Sequence, residues 1–193
     1  MCPTGDDEDE GAGTGGPIIN PKRVAILPER LLAFAREEVG VREEGPNTGD
    51  RVVWYQSATN QASGEWPWCA AFVARVLATA LSDPANERGF ATITADLDRW
   101  RCRSARAYDW ERWAAERGLQ ILDENAPLRP GDIVTFDFSH IGIVEAESGP
   151  HRVITIEGNT NADGSREGDG VYRKNRKRSL IRKVIRLPDE VPR

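Results

Sequence analysis

Between Pro28 and Gly40 the stretch PERLLAFAREEVG sets Leu31, Leu32, Ala35 and Val39 three and four positions apart, with Gly40 following as a stop. That spacing predicts an amphipathic helix with one buried face. GVREEGPNTGD then reads as a loop, and DRVVWYQSATN fits either a short helix or a strand, because its apolar run is mixed. From Cys69 to about Leu81, the residues Phe72, Val73, Val76, Leu77 and Ala80 make a second helical face, and Pro67 just upstream ends whatever precedes it. Between Ile93 and Gly118, Leu97, Trp100, Ala107, Trp110, Trp113 and Ala114 again fit a helical stripe better than strict alternation. After Pro130 the period changes. GDIVTFDF, HIGIVEAE, HRVITIEGN, GVYRK and LIRKVIRL are short Val- and Ile-rich runs separated by Gly, Pro, Ser, Asn and Asp, and they read as strands. Helices first and strands afterwards predict an α+β domain, its N-terminal helices packed on an antiparallel β-sheet.

Composition narrows this picture. A chain of 193 residues with 39% apolar and 30% charged content is long enough for one domain with a real core. Residues 1–21 are rich in Gly, Asp and Glu and poor in anything that packs, so they read as a disordered acidic tail. The folded unit is expected over 22–188, with 189–193 as a short C-terminal tail. A formal net charge of -5 argues against a nucleic-acid binder. No apolar run approaches the roughly 18 residues that a membrane span needs. The first residues are acidic rather than a basic segment followed by an apolar one, so no export signal is visible. A monomer is expected.

The candidate chemistry starts from the cysteines. Cys2, Cys69 and Cys102 are odd in number and widely spaced, without the paired spacings of a zinc site or the density of a disulfide scaffold. Cys69 stands where the second helix begins. A thiol there sits among unpaired backbone N–H groups at the positive end of the helix dipole, which favours thiolate and offers donors to a developing oxyanion. The chain holds only two histidines. His151, in ESGPHRV, reads as a solvated hairpin residue. His140 opens the strand-like run HIGIVEAE and can serve as a base. In VITIEGNTN, strand alternation puts Thr155, Glu157 and Asn159 on one face, where a carboxylate or an amide can fix the tautomer of His140. Cys102 reads as a half-buried helix residue and Cys2 as an inert tail thiol. The basic run RKNRKR reads as a solvated hairpin, with attraction of anionic wall polymers as the alternative.

PWCAAFV, then RPGDIVTF and SHIGIVEA, then ITIEGNT and the terminal GVYRKNR and IRKVIRL, resemble the CHAP family, the cysteine- and histidine-dependent amidohydrolases and peptidases of peptidoglycan turnover. AREEVGVREEGPNTG is similar to that family's N-terminal helix and loop, so the resemblance runs from about Leu31 to Leu187. It implies a papain-like cysteine hydrolase fold. It also implies Cys69 as nucleophile, His140 as general base and then acid, Glu157 as the residue that orients His140, and Asn159 as a fourth member that assists the orientation or polarises the substrate. Many members have Gln just before the cysteine, where this chain has Trp68. Some bind calcium through an Asp-rich loop ahead of the cysteine. Residues 50–68 hold no such cluster, so neither a metal nor another cofactor is expected.

The implied reaction is hydrolysis of a wall amide through a thioester, by an N-acetylmuramoyl-L-alanine amidase or a peptidoglycan endopeptidase. Trp66, Trp68 and Asn47 are candidates for the substrate groove by proximity to the motif. The site of action is expected to be the bacterial cell wall, reached after release by a phage holin, by a secretion machine, or with an export signal already removed. Two alternatives stand beside this reading: a cysteine amidase effector acting on a non-wall substrate, and a catalytically silent wall-binding or virion module.

Overall fold

The computed structural model describes residues 26–82 and 93–191. Five helices come first: α1 (Leu27–Glu37), α2 (Asp50–Gln56), α3 (Cys69–Leu81), α4 (Ala95–Trp100) and α5 (Asp109–Glu116). Six strands follow: β1 (Gln120–Leu122), β2 (Ile133–Phe136), β3 (His140–Glu147), β4 (Arg152–Thr160), β5 (Gly170–Lys177) and β6 (Ile181–Arg186). They form one sheet in the order β1-β6-β2-β3-β4-β5, antiparallel at every pairing. The α+β architecture with helices ahead of an antiparallel sheet is thus the one the pattern predicts. The expected tail over 1–21 lies outside the described residues.

Local differences have identifiable causes. DRVVWYQ is helical: Val52, Tyr55 and Gln56 are buried while Val53 faces out, a three-residue spacing that a strand cannot produce. The region 93–118 is not one helix, because Arg101 turns extended (φ -66°, ψ 157°) after α4. Its guanidinium donates to the Ala58 carbonyl at 2.6 Å and pairs with Asp98. Strand β1 was not anticipated, since three residues carry too little pattern. The C-terminus stays packed beyond 188: the Leu27 N–H donates to the Asp189 carbonyl at 3.0 Å, and Val191 rests against the core. Residues 189–191 therefore belong to the folded unit rather than to the tail expected at 189–193.

The sheet is buried on both faces, unequally. Ile141, Ile143, Ile156 and Ile185 join the main core, with Leu31, Phe72 and Leu77 from α1 and α3. The alternate positions Val134, Phe136, Val144, Val153 and Val184 form a smaller cluster on the reverse face, covered by Leu128 and the partly buried Phe138. Helix α3 is the central support and is buried over nearly its whole length. It lies against β4 where that strand has no side chain: a Cβ on Gly158 would stand 2.6 Å from Phe72 Cβ and 2.8 Å from Trp68 Cζ3.

This close approach fixes where the start of α3, and with it Cys69, meets the sheet. Gly158→Ala is expected to push α3 off β4 and to destabilise the protein by about 1–3 kcal/mol, the usual cost of overpacking. Urea unfolding checks this, and wild-type stability in the variant would refute it.

Candidate active site

Cys69 is the first residue of α3 and is 6% exposed. Helices usually begin with a Ser, Thr, Asp or Asn whose side chain caps the free amides. Here the N-cap is Trp68, which supplies no side-chain cap. Strand β4 supplies an acceptor instead: Asn159 Oδ1 accepts from the Trp68 N–H at 3.1 Å. The amides of the first turn beyond it have no intrahelical acceptor. The loop ahead of the cysteine is held by the buried Gln56, whose Nε2 donates to Gly64 O at 2.7 Å and whose Oε1 accepts from the Gly64 N–H at 3.0 Å. Over the sulfur opens a groove of about 520 Å³, lined with Trp66, Pro67, Arg106, Tyr108, Ser139 and Arg166 among others.

His140 and Glu157 are both fully buried. Alternation along β3 sets His140, Gly142 and Val144 on the reverse face of the sheet, opposite the helices, and alternation along β4 sets Val153, Thr155 and Glu157 on the same face. Glu157 Oε2 lies 3.0 Å from His140 Nε2. Gly142 makes the approach possible, since a Cβ there would fall 2.7 Å from Glu157 Cγ. The imidazole stacks between strand and turn against Phe136 and Phe138. Tyr108 pins that turn: its hydroxyl donates to the Asp137 carbonyl at 2.8 Å and accepts from the Ser139 N–H at 2.9 Å. Cysteine and histidine therefore come from opposite sides of the sheet and meet at the end of its strands.

Charge is what makes this arrangement chemically competent. Burial alone would push His140 down, but the neighbouring Cys69 sulfur and the Glu157 carboxylate overcome it and raise the imidazole to about 9. Burial would likewise push Glu157 up, yet the hydrogen bonds from Arg176 and the close contact with the His140 ring hold it down at about 2. The 3.0 Å contact lies off the ring N–H direction, and neither ring nitrogen makes a well-directed hydrogen bond. Such bonds are commonly loose in a free enzyme and tighten around the reacting groups. Nε2 faces Glu157, which leaves Nδ1 for the sulfur. A buried imidazolium beside a cysteine at a helix N-terminus can hold a thiolate, and it can pass its proton to a leaving amine.

Cys69, His140 and Glu157 are thus brought together as expected, but the other candidates are placed differently. Asn159 makes no bond to His140. Its backbone is left-handed (φ 55°) and the β4–β5 register shifts beside it, so strand alternation does not extend that far. Its amide is fully engaged, Oδ1 at the Trp68 N–H and Nδ2 donating to Asn47 Oδ1 and Gly168 O, both at 3.0 Å. Trp68 is not a groove wall. It is buried, stacked on Tyr55 at 5.3 Å, and its Nε1 donates to Glu43 at 3.0 Å. Trp66 does line the groove over Cys69, whereas Asn47 lines a neighbouring acidic one with Glu43 and Asp169. His151 is exposed and far along the sheet, beside Lys177. Cys102 is a buried free thiol pushed up to about 12 by its burial. Cys2 lies outside the described residues.

The basic run is not a free cationic surface. Arg173 pairs with Glu145, Arg178 with Glu147, and Arg176 reaches inward to Glu157. Sequence reasoning missed Arg176, Tyr108 and Gly142. Only Gly142 left a signal, as a glycine inside a strand two residues after the histidine. Among the described residues, no group of three or more His, Cys, Asp or Glu is placed to hold a metal ion, and no helix is long and apolar enough to cross a membrane.

A cysteine at a helix start, facing a histidine on the first long strand of an antiparallel sheet with a carboxylate behind it, defines a papain-like cysteine hydrolase. The family model of the CHAP domain matches residues 59–159, just over half of the chain, and the protein belongs to that family. It is accordingly a cysteine- and histidine-dependent hydrolase of the amidase or peptidase type. No curated protein matches the chain.

The buried pair has a pH signature. Glu157, lowered from 4.5 to about 2, contributes stability that is present above 4.5 and lost as pH falls through about 2. His140, raised from 6.5 to about 9, contributes stability that is complete below 6.5 and lost as pH rises through about 9. Urea midpoints should therefore decline between 6.5 and 9, and His140→Asn should flatten that decline. An unchanged alkaline slope in the variant would contradict the assignment.

Proposed function

We propose that the protein is a peptidoglycan hydrolase that cuts an amide bond of the bacterial cell wall through a Cys69 thioester. The observation that carries this reading is the Cys69–His140–Glu157 array, whose cysteine lines an open groove of about 520 Å³ while the histidine and glutamate are buried behind it. Cys69 attacks the carbonyl, and the first-turn amides of α3 receive the developing oxyanion. His140 hands its proton to the leaving amine and then takes one from the water that cleaves the thioester. Glu157 keeps the imidazole oriented and stabilises its charged form. Asn159 acts indirectly, by tying the N-cap of α3 to β4 and to the Asn47 loop.

The groove supports a wall substrate. Trp66 offers a flat apolar surface to a sugar or an alkyl chain, and Arg106 and Arg166 stand at the rim where the carboxylates of a stem peptide would lie. The bond is either the lactyl-amide between muramic acid and the stem, or a peptide bond of the stem or cross-bridge. The site of action is then the wall itself.

Digestion of purified peptidoglycan of several chemotypes, with mass spectrometry of the products, tests this. Wild type should release fragments whose new termini name the bond, and Cys69→Ala and His140→Ala should each reduce release by roughly 10³-fold or more while remaining folded. Glu157→Gln should be milder, because an amide still accepts a hydrogen bond from the ring, and Cys102→Ala should retain activity. Absence of fragments from every wall, with the thiol reduced, would move the substrate to another class of amide. Full activity of Cys69→Ala would remove the mechanism.

A further inference from the structure

Arg176 lies beyond the segment that matches the family model, in a run of basic residues on β5, and it is only 9% exposed. Its register partner is Val153, so its side chain starts on the same face as Glu157 and extends along β4 past Thr155. Every nitrogen of the guanidinium is used. Nε donates to Glu157 Oε1 at 3.0 Å and Nη2 to Oε2 at 2.5 Å, a two-point grip that fixes the plane of the carboxylate. Nη1 donates to the Gly164 carbonyl at 2.8 Å, and Phe136 and Phe138 flank the guanidinium. Thr155 Oγ1 gives Oε1 a further donor.

We propose that Arg176 is a positioning residue of this site: it holds the Glu157 carboxylate ionised and turned toward His140, and through it maintains the imidazole that Cys69 uses. The proposal rests on the cysteine–histidine reading above, but not on the identity of the substrate. A fully buried carboxylate without a cation tends to take up a proton. Once neutral, Glu157 no longer supports the imidazolium. The other titratable groups around it do not replace Arg176. Tyr172, opposite Glu157 on β5, is turned to Asp169, and Lys174, opposite Thr155, donates to the Asn161 and Ala162 carbonyls. His140 itself, with Cys69 behind it, is the group being held. A lysine at 176 would bring charge without the fork.

The test is the pH dependence of Cys69 alkylation by iodoacetamide, read on the Cys69 peptide by mass spectrometry so that Cys2 and Cys102 do not interfere. Wild type, Arg176→Met, Arg176→Lys, Glu157→Gln and the Arg176→Met/Glu157→Gln double variant are compared, each after a thermal melt confirms folding. In Arg176→Met the acid limb should move up by about one pH unit or more, as a carboxylate that loses its cation is protonated earlier. Arg176→Lys should fall between it and wild type, and Arg176→Met should add no shift in the Glu157→Gln background. A folded Arg176→Met with the wild-type profile overturns the proposal, as does an equal shift with Glu157 already replaced. If Arg176→Met does not fold, Arg176→Lys decides, and a wild-type limb in that variant is the refutation. Failure of the wall-hydrolase reading looks different: no wall fragments from wild type, with the alkylation limb still moving.

Discussion

A carboxylate removed completely from water is the constraint around which this site is organised. Glu157 is ionised inside the protein because a fork of two donors from Arg176, a hydroxyl from Thr155 and the His140 ring surround it. Loss of one partner from such a buried pair typically costs about 3–5 kcal/mol, because the other charge is left uncompensated. The ion pair thus ties β3, β4 and β5 together, and it also keeps a positive imidazole beside a sulfur in an otherwise apolar setting. Structure and chemistry draw on the same interaction. The protein's own buried ions supply the charge of the site.

The second half of the site depends on backbone closeness rather than charge. Helix α3 carries the thiol on one side of the sheet, and the carboxylate and imidazole sit on the other. The halves meet because β4 lacks a side chain at Gly158, which lets α3 settle against the strand, and because β3 lacks one at Gly142, which lets Glu157 reach His140. Asn159 then joins the halves directly, bonding from β4 to the N-cap of the helix. One short segment, Glu157 to Asn159, thereby provides the carboxylate, the close contact and the tie. Each acts on a different partner, so the segment sets distance and orientation together.

How much of this could be read beforehand follows from the range of each signal. The start of α3 at Cys69 and the face of Glu157 were legible, since a helical stripe and a strand's alternation are local and long enough to count. Asn159 is less legible: alternation places it with Glu157, but a left-handed residue beside a register shift breaks the period, and nothing local announces that. Trp68 was placed near the groove by its neighbour in sequence, whereas packing against Tyr55 and Gly158 sends its ring inward. Arg176 was hidden for a different reason. Among the basic residues of RKNRKR, only the β4–β5 register distinguishes the one that reaches Glu157 from those that pair with Glu145 and Glu147 at the surface. The family resemblance pointed to the cysteine, histidine and glutamate; it assigned no role to the residue that holds the glutamate.

The central claim is that amide cleavage passes through an acyl group on Cys69. Acid-quenching the protein during turnover of solubilised peptidoglycan, followed by peptide mass spectrometry, measures this directly. The account predicts a wall-derived acyl adduct on the Cys69 peptide that hydroxylamine removes, with Cys102 unmodified. Release of fragments at the wild-type rate with no adduct on Cys69, or an adduct carried by any other residue, would contradict it.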